Sequence, residues 1–176
     1  KGATLDILLK VLKQNPLSFS SRMRMWFSPQ YFSIKDGKLH LMRMDGLINS
    51  KIRICTWGNI DLITKKIDMT LGVLGETIEH YLNIEAIPEN FIIQIPIKGT
   101  IDNVKIDTKM ATAKITALMA SQANHKLGIF LGHLFSKMEG ERPVPKPIGP
   151  FPWENDKNYK KKRKNIFGQD IFDLLK

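Results

Sequence analysis

Cysteine is almost missing: Cys55 is the only one in 176 residues. A single thiol makes no intramolecular disulfide and no Cys-rich zinc site. It leaves the compartment open, because extracytoplasmic proteins without disulfides are common. Histidine is also sparse. His40, His80, His125 and His133 form no H-x3-H pair and no HExxH, so the usual helical zinc spacings are absent. There is no P-loop, no GxGxxG after a strand and no GxSxG. Glu76, Glu79 and Glu85 cluster around one short segment and read as a solvated acidic face. Without a catalytic constellation the chain is expected not to be an enzyme, and no cofactor or metal is expected. Long apolar runs are lacking too. No stretch of about 18 apolar residues occurs, and the longest patch, Leu127 to Phe135, is broken by Gly128, Gly132 and His133. A membrane anchor, if the protein has one, is expected outside this chain. The chain begins at Lys1 and reads as a fragment or processed product of something longer.

Acidic residues are in deficit, 17 against 27 Lys plus Arg, which leaves a net charge of +10. That sign favours anionic partners, either nucleic acid or anionic lipid headgroups. Lys157, Lys160, Lys161, Lys162, Arg163 and Lys164 fall within eight residues and form the candidate anionic-partner segment. Hydrophobic residues make up 43% and charged residues 25%. This is ordinary globular composition, sufficient for a core in one or at most two domains.

What is present falls into three textures. Leu5, Leu8, Leu9 and Leu12 recur at helical spacing after Thr4, and Asn15-Pro16 ends that helix. From Met23 to Val73 the period is two. Phe32 and Ile34 precede the hairpin signal Asp36-Gly37. Leu39 and Leu41 continue one face, with His40, Met42 and Met44 on the other. Asp45-Gly46 reads as a turn or bulge, and Trp57-Gly58-Asn59 as a strand break. Ile67, Met69, Leu71 and Val73 follow a charged turn at Lys65-Lys66. These segments make a meander of about four antiparallel strands. Residues 75–83 read as a short helix. Phe91, Ile93, Ile95 and Ile97 alternate in a further strand, in which Pro96 demands an edge or bulge on one side. Val104 and Ile106 make a last short strand. From Thr108 to Met138 the period returns to 3.6, with Ile115, Leu118 and Met119 on an apolar stripe that continues through Phe130 and Leu134. Then Pro143, Pro145, Pro147, Pro150 and Pro152 impose an extended segment, followed by the basic run and an apolar terminal patch from Ile166 to Leu175.

Two ordered phrases carry a family resemblance. Residues 34–41 with 52–71 read as a strand with Asp-Gly, then a strand ending in G-x-I-D-L-x-T. Residues 95–107 read as I-P-I-x-G-T-I-x-N-x-K-I-D, with Val104 where the phrase has Pro. In that order they resemble the C-terminal region of AsmA-like proteins over about residues 30–125. The resemblance implies a sheet groove that carries phospholipid acyl chains, in the periplasm of double-membraned bacteria, anchored to the inner membrane through a segment absent from this chain. It implies no catalytic residue.

Together these readings give an α+β fold: a curved, groove-like antiparallel β-sheet with a short N-terminal helix, a long amphipathic C-terminal helix and an irregular basic tail. The division is 1–140 for the groove domain with a helical cap and 141–176 for the tail. The expected function is non-enzymatic binding or conduction of acyl chains for outer-membrane lipid homeostasis, with phospholipid and the membrane surface or envelope proteins as partners. The candidate lipid-binding residues are Leu39, Leu41, Ile52, Ile54, Leu62, Ile67, Met69, Leu71, Phe91, Ile93, Ile95 and Ile97. Two alternatives stand beside it. One is a nucleic-acid-binding or ribosome-associated module, favoured by charge but lacking a basic strand face lined with aromatics. The other is a ligand-free assembly scaffold whose Pro segment recruits a protein.

Overall fold

Asp36 and Gly37 both take positive φ, 49° and 72°, which is the turn that matches strand twist in a two-residue hairpin. It joins β2 (Phe32–Lys35) to β3 (Lys38–Ile48). The chain then meanders through β4 (Ile52–Asp61) and β5 (Lys66–Leu74), crosses a short helix α1 (Gly75–Leu82), and returns as β6 (Ile92–Thr100) and β7 (Asn103–Ile106). A short strand β1 (Met25–Phe27) pairs with the far half of β3, so β1 and β2 share one edge. The product is one seven-stranded antiparallel sheet in the order β1-β3-β4-β5-β6-β7, with β2 beside β3. A second helix, α2 (Lys109–Ala123), lies against β6. The structure is a computed structural model and describes residues 24–48, 50–82, 87–88, 90–123 and 142–155.

The expected α+β layout needs correction. Among the described residues the protein is mostly antiparallel sheet, with two short helices, α1 and α2, and no long C-terminal helix. Two strands are longer than the sequence pattern suggests, and this shifts the balance. Asp45-Gly46 is no turn, because β3 runs through it and Asp45 pairs with Cys55, Gly46 with Ile54. Trp57-Gly58-Asn59 does not break β4 either. Gly58 has φ +141°, which an L side chain rarely adopts, and there it stays in the ladder between Leu41 and Met69. The irregularity sits elsewhere, as a bulge in β3 between Leu41 and Met44. The predicted helix over 4–13 and residues 124–138 of the predicted helix over 108–138 lie outside the described residues, as does the run 157–164.

Pro96 behaves as its chemistry requires. Its carbonyl accepts the N–H of Asp107 at 2.9 Å. Its nitrogen therefore points to the same side, where β7 has ended at Ile106 opposite Ile97.

The main core forms where α1 and α2 cover one face. Val73, Ile93 and Ile95 from the sheet meet Ile78 of α1, Ile87, Phe91, and Ala111, Ile115 and Leu118 of α2. Thr77 of α1 is fully buried and ties the helix to β4: its Oγ1 accepts the Arg53 N–H at 2.7 Å and donates to the Arg53 carbonyl at 3.0 Å. A Cβ at Gly58 would lie 2.5 Å from the Asp68 carbonyl oxygen and 2.7 Å from the Met69 Cα. Gly58→Ala is therefore expected to destabilise the protein by about 3 kcal/mol, since neither backbone atom can yield cheaply. Urea denaturation checks this, and a loss below about 1 kcal/mol would show that β4 tolerates a break at this point.

Candidate functional site

Register sorts the side chains into rows that cross the sheet. One row runs Ile34, Leu39, Ile60, Ile67, Gly99, Val104 from β2 to β7. The next runs Phe32, Leu41, Gly58, Met69, Ile97, Ile106. Alternation puts both rows on the same face. Two further rows on that face are Met44-Thr56-Leu71-Ile95 and Gly46-Ile54-Val73-Ile93, and their ends at Leu71, Val73, Ile93 and Ile95 pack into the helix-covered core. The row between the first two points the other way and is polar: Ser33, His40, Asn59, Asp68, Lys98, Lys105.

The helix-covered core stops at Leu71 and Ile95. Beyond it, Leu39, Leu41, Ile60, Ile67, Met69 and Ile97 are only half-buried. The rows open at their ends, where Ile34 and Ile106 are each 60% exposed. Six strands set about 4.8 Å apart make each row roughly 24 Å long.

The structure divides the candidate lipid-binding residues. Leu39, Leu41, Ile67, Met69 and Ile97 come together on the two open rows. Ile54 and Leu71 lie on the same face nearer the helices and are half-buried. Phe91, Ile93 and Ile95 are core residues packed against α1 and α2, and Ile52 is buried at the start of β4. As placed, these four line no open surface. Leu62 is exposed in the β4–β5 turn. Phe32, Ile34, Ile60, Val104 and Ile106 complete the open rows without having been selected. Each alternates with a polar neighbour in its strand, which was the available signal.

The opposite face carries a second arrangement that alternation did not disclose. The bulge turns Arg43 and Asp45 to the same side. Arg43 donates from Nε to Asp45 Oδ2 at 2.8 Å and from Nη2 to Oδ1 at 2.6 Å, both side chains being buried. The Asp45 N–H donates to Ser28 Oγ at 2.9 Å. The segment Arg142–Asn155 straps this face. Arg43 Nη1 donates to the Pro145 carbonyl at 3.0 Å. Gln94 pairs with the Arg142 backbone, donating at 2.8 Å and accepting at 3.2 Å. Arg142 also forms an ion pair with Asp68. Farther along, Phe151 stacks on the fully buried Trp153 with centroids 4.8 Å apart. The Arg53 guanidinium sits 5.5 Å and 5.1 Å from those two rings, a cation–π contact out of water. Arg53 Nη1 also lies 3.5 Å from Glu76 Oε2. A cavity of about 660 Å³ opens between strap and sheet, walled by Arg43, Arg53, Glu76, Ile92, Phe151 and Trp153. Its arginines are engaged by carboxylates and rings.

Cys55 lies beside this network, buried against Trp57, Leu74 and Ile92. Burial pushes its thiol up from the ordinary thiol range to about 12. The thiol stays protonated and poorly nucleophilic at neutral pH. Because the folded pKa is raised, its contribution to stability is present below about pH 9 and lost as pH climbs toward 12. In native protein at pH 8, Cys55 is expected to react with a disulfide reagent at least about a hundredfold slower than in denaturant, and equal rates would contradict its placement. Asp45→Ala strands Arg43 among buried groups and is expected to cost about 3–5 kcal/mol, read by urea denaturation.

No protein-family model, no curated protein and no solved structure matches the chain.

Proposed function

We propose that the chain binds the acyl chain of a lipid along the two open apolar rows, as a non-enzymatic component of envelope lipid homeostasis. One observation carries this reading. Six strands keep apolar groups in register across the sheet on one face, while the intervening row on the other face is polar. The rows span roughly 24 Å, longer than the roughly 15 Å that half of a bilayer's hydrocarbon core occupies. An extended tail laid across the strands meets aliphatic or aromatic groups at nearly every step, and only the backbone at Gly58 and Gly99. Burial of each methylene contributes about 0.8 kcal/mol. The ordered phrases of residues 34–71 and 95–107, with their likeness to AsmA-like proteins, point the same way. They suggest phospholipid as the ligand and the periplasm as the setting.

Native mass spectrometry of the purified chain, with lipid extraction of the same sample, tests the reading. Phospholipid is expected at fixed stoichiometry. Met69→Asp puts a charge at the centre of a row without touching the helix-covered core. Losing two or three methylene contacts costs about 2 kcal/mol, so retention of a fluorescent fatty acid should fall about thirtyfold with the melting temperature little changed. A clean unliganded mass and no fatty-acid uptake would remove the proposal.

A further inference from the structure

The most exposed aliphatic side chain among the described residues is Ile63, at 78%. It sits at one end of the sheet with a concentration of similar groups. Of the twelve exposed large hydrophobic side chains among the described residues, seven are there: Phe32, Ile34, Leu62, Ile63, Ile101, Val104 and Ile106. The opposite end is closed by α1 and the strap.

Three turns meet at this end, as antiparallel topology requires: Asp36-Gly37, Leu62 to Lys65, and Ile101-Asp102. They are joined to one another. The Leu62 N–H donates to the Gly37 carbonyl at 2.8 Å, and the Ile101 N–H donates to the Lys65 carbonyl at 3.0 Å. The middle turn is braced from within, because Asp61 Oδ1 accepts the N–H groups of Ile63 at 3.0 Å and Thr64 at 2.7 Å. The Ile63 side chain lies over Gly37, where a Cβ would come within 2.6 Å of its Cδ1. The turns therefore form a connected ridge with a preset shape, and its apolar groups are held outward.

Lysines outnumber aspartates around the ridge narrowly, four (Lys35, Lys38, Lys65, Lys66) to three (Asp36, Asp61, Asp102). Lys35, Lys38, Lys65 and Lys66 are all exposed there. The exposed acids at the turns are Asp36 and Asp102, while Asp61 is half-buried and turned back on its own loop. Lys98 and Lys105 stand exposed one row farther on the polar face. Aliphatic tips flanked on the polar side by lysines are the chemistry of the boundary between headgroups and acyl chains. The tips enter the apolar region and the ammonium groups remain at the level of anionic headgroups.

We propose that the ridge of three turns docks the protein on an anionic lipid bilayer, inserting Leu62, Ile63 and Ile101 with Lys35, Lys38, Lys65 and Lys66 at the headgroups. The docking stands on its own observations and does not require the acyl-chain reading. If both hold, the first open row lies directly behind the ridge, so a lipid tail has a short route from bilayer to sheet.

The test is flotation of the full chain with vesicles of phosphatidylcholine alone or with about one-third phosphatidylglycerol, at physiological salt. Wild-type protein is expected to float with the anionic vesicles. The double variant Ile63→Asp, Ile101→Asp should lose at least about tenfold in partitioning, and Ile63→Leu should retain it. Both positions are exposed turn residues, so an unchanged circular dichroism spectrum separates docking from folding. As a second measurement, Ile63→Trp should show a blue-shifted emission on vesicles and quenching by brominated lipid beyond that of the wild type. Absence of flotation would overturn the proposal. So would full flotation of the double variant, since binding would then come from other basic segments such as 157–164. Self-association abolished by the same variant, without flotation, would assign the ridge to a second copy instead. Met69→Asp separates the two proposals: it should abolish fatty-acid uptake and leave flotation intact, whereas the ridge variant should do the reverse.

Discussion

Everything in this sheet depends on where β3 changes its parity. A strand presents alternate residues to alternate faces, and one extra residue reverses the assignment for all that follow. The bulge between Leu41 and Met44 is that reversal. Before it, Leu39 and Leu41 join the open apolar rows; after it, Met44 and Gly46 stay on the same face. Without it, Arg43 and Asp45 would point into the apolar core and Met44 into the polar strap. The charged pair is tolerable only because the bulge delivers both partners to the side where Ser28 and the strap complete their hydrogen bonds.

The strap is held by polar groups as well as by the buried Trp153, and the polar part follows from what the bulge exposes. Buried arginines carry a large desolvation cost unless paired. Arg43 meets that requirement with a bidentate carboxylate and a strap carbonyl, and Arg53 with Glu76 and two aromatic rings. A chain rich in proline suits the role. It offers carbonyls but few N–H donors that would need partners of their own, and it is already extended in solution, so less entropy is lost on docking. The Gln94 side-chain amide mimics a backbone pairing, donating to the Arg142 carbonyl and accepting its N–H.

Local chemistry was legible in the sequence, and parity was not. Asp36-Gly37 located a hairpin, Pro96 located the end of a neighbouring strand, and period-two runs located most of the sheet. The site was only partly legible. Alternation identified apolar strand residues without distinguishing Met69 and Ile97, which stay open, from Ile93 and Ile95, which α2 covers. Burial is decided by the helix that crosses the face, and the spacing within one strand carries no record of it. The bulge was placed at Asp45-Gly46 because those residue types favour turns. In the fold Asp45 is drawn inward by Arg43, a tertiary pairing that overrides turn preference. The same blindness affected Gly58: glycine reads as an interruption, yet here it keeps a strand in register at a backbone angle that other residues avoid. Both errors shortened strands.

The two ends of the one sheet have opposite solutions to the same problem. An apolar face must be covered, and away from the turns α1 and α2 cover the β5 and β6 part of one face while the strap crosses the other. At the turn end the alternation is just as regular, with apolar rows on one side and a polar row on the other, but the side chains grow more exposed toward the edges and the turns. Scattered surface leucines need no explanation, but contiguous aliphatic rows with a braced, lysine-flanked ridge behind them do. A covering that is apolar and extended across the strands is what the tail of the proposed lipid would supply, and the proposed docking ridge would meet its headgroup region. On those proposals the rows and the ridge meet different parts of the same ligand surface.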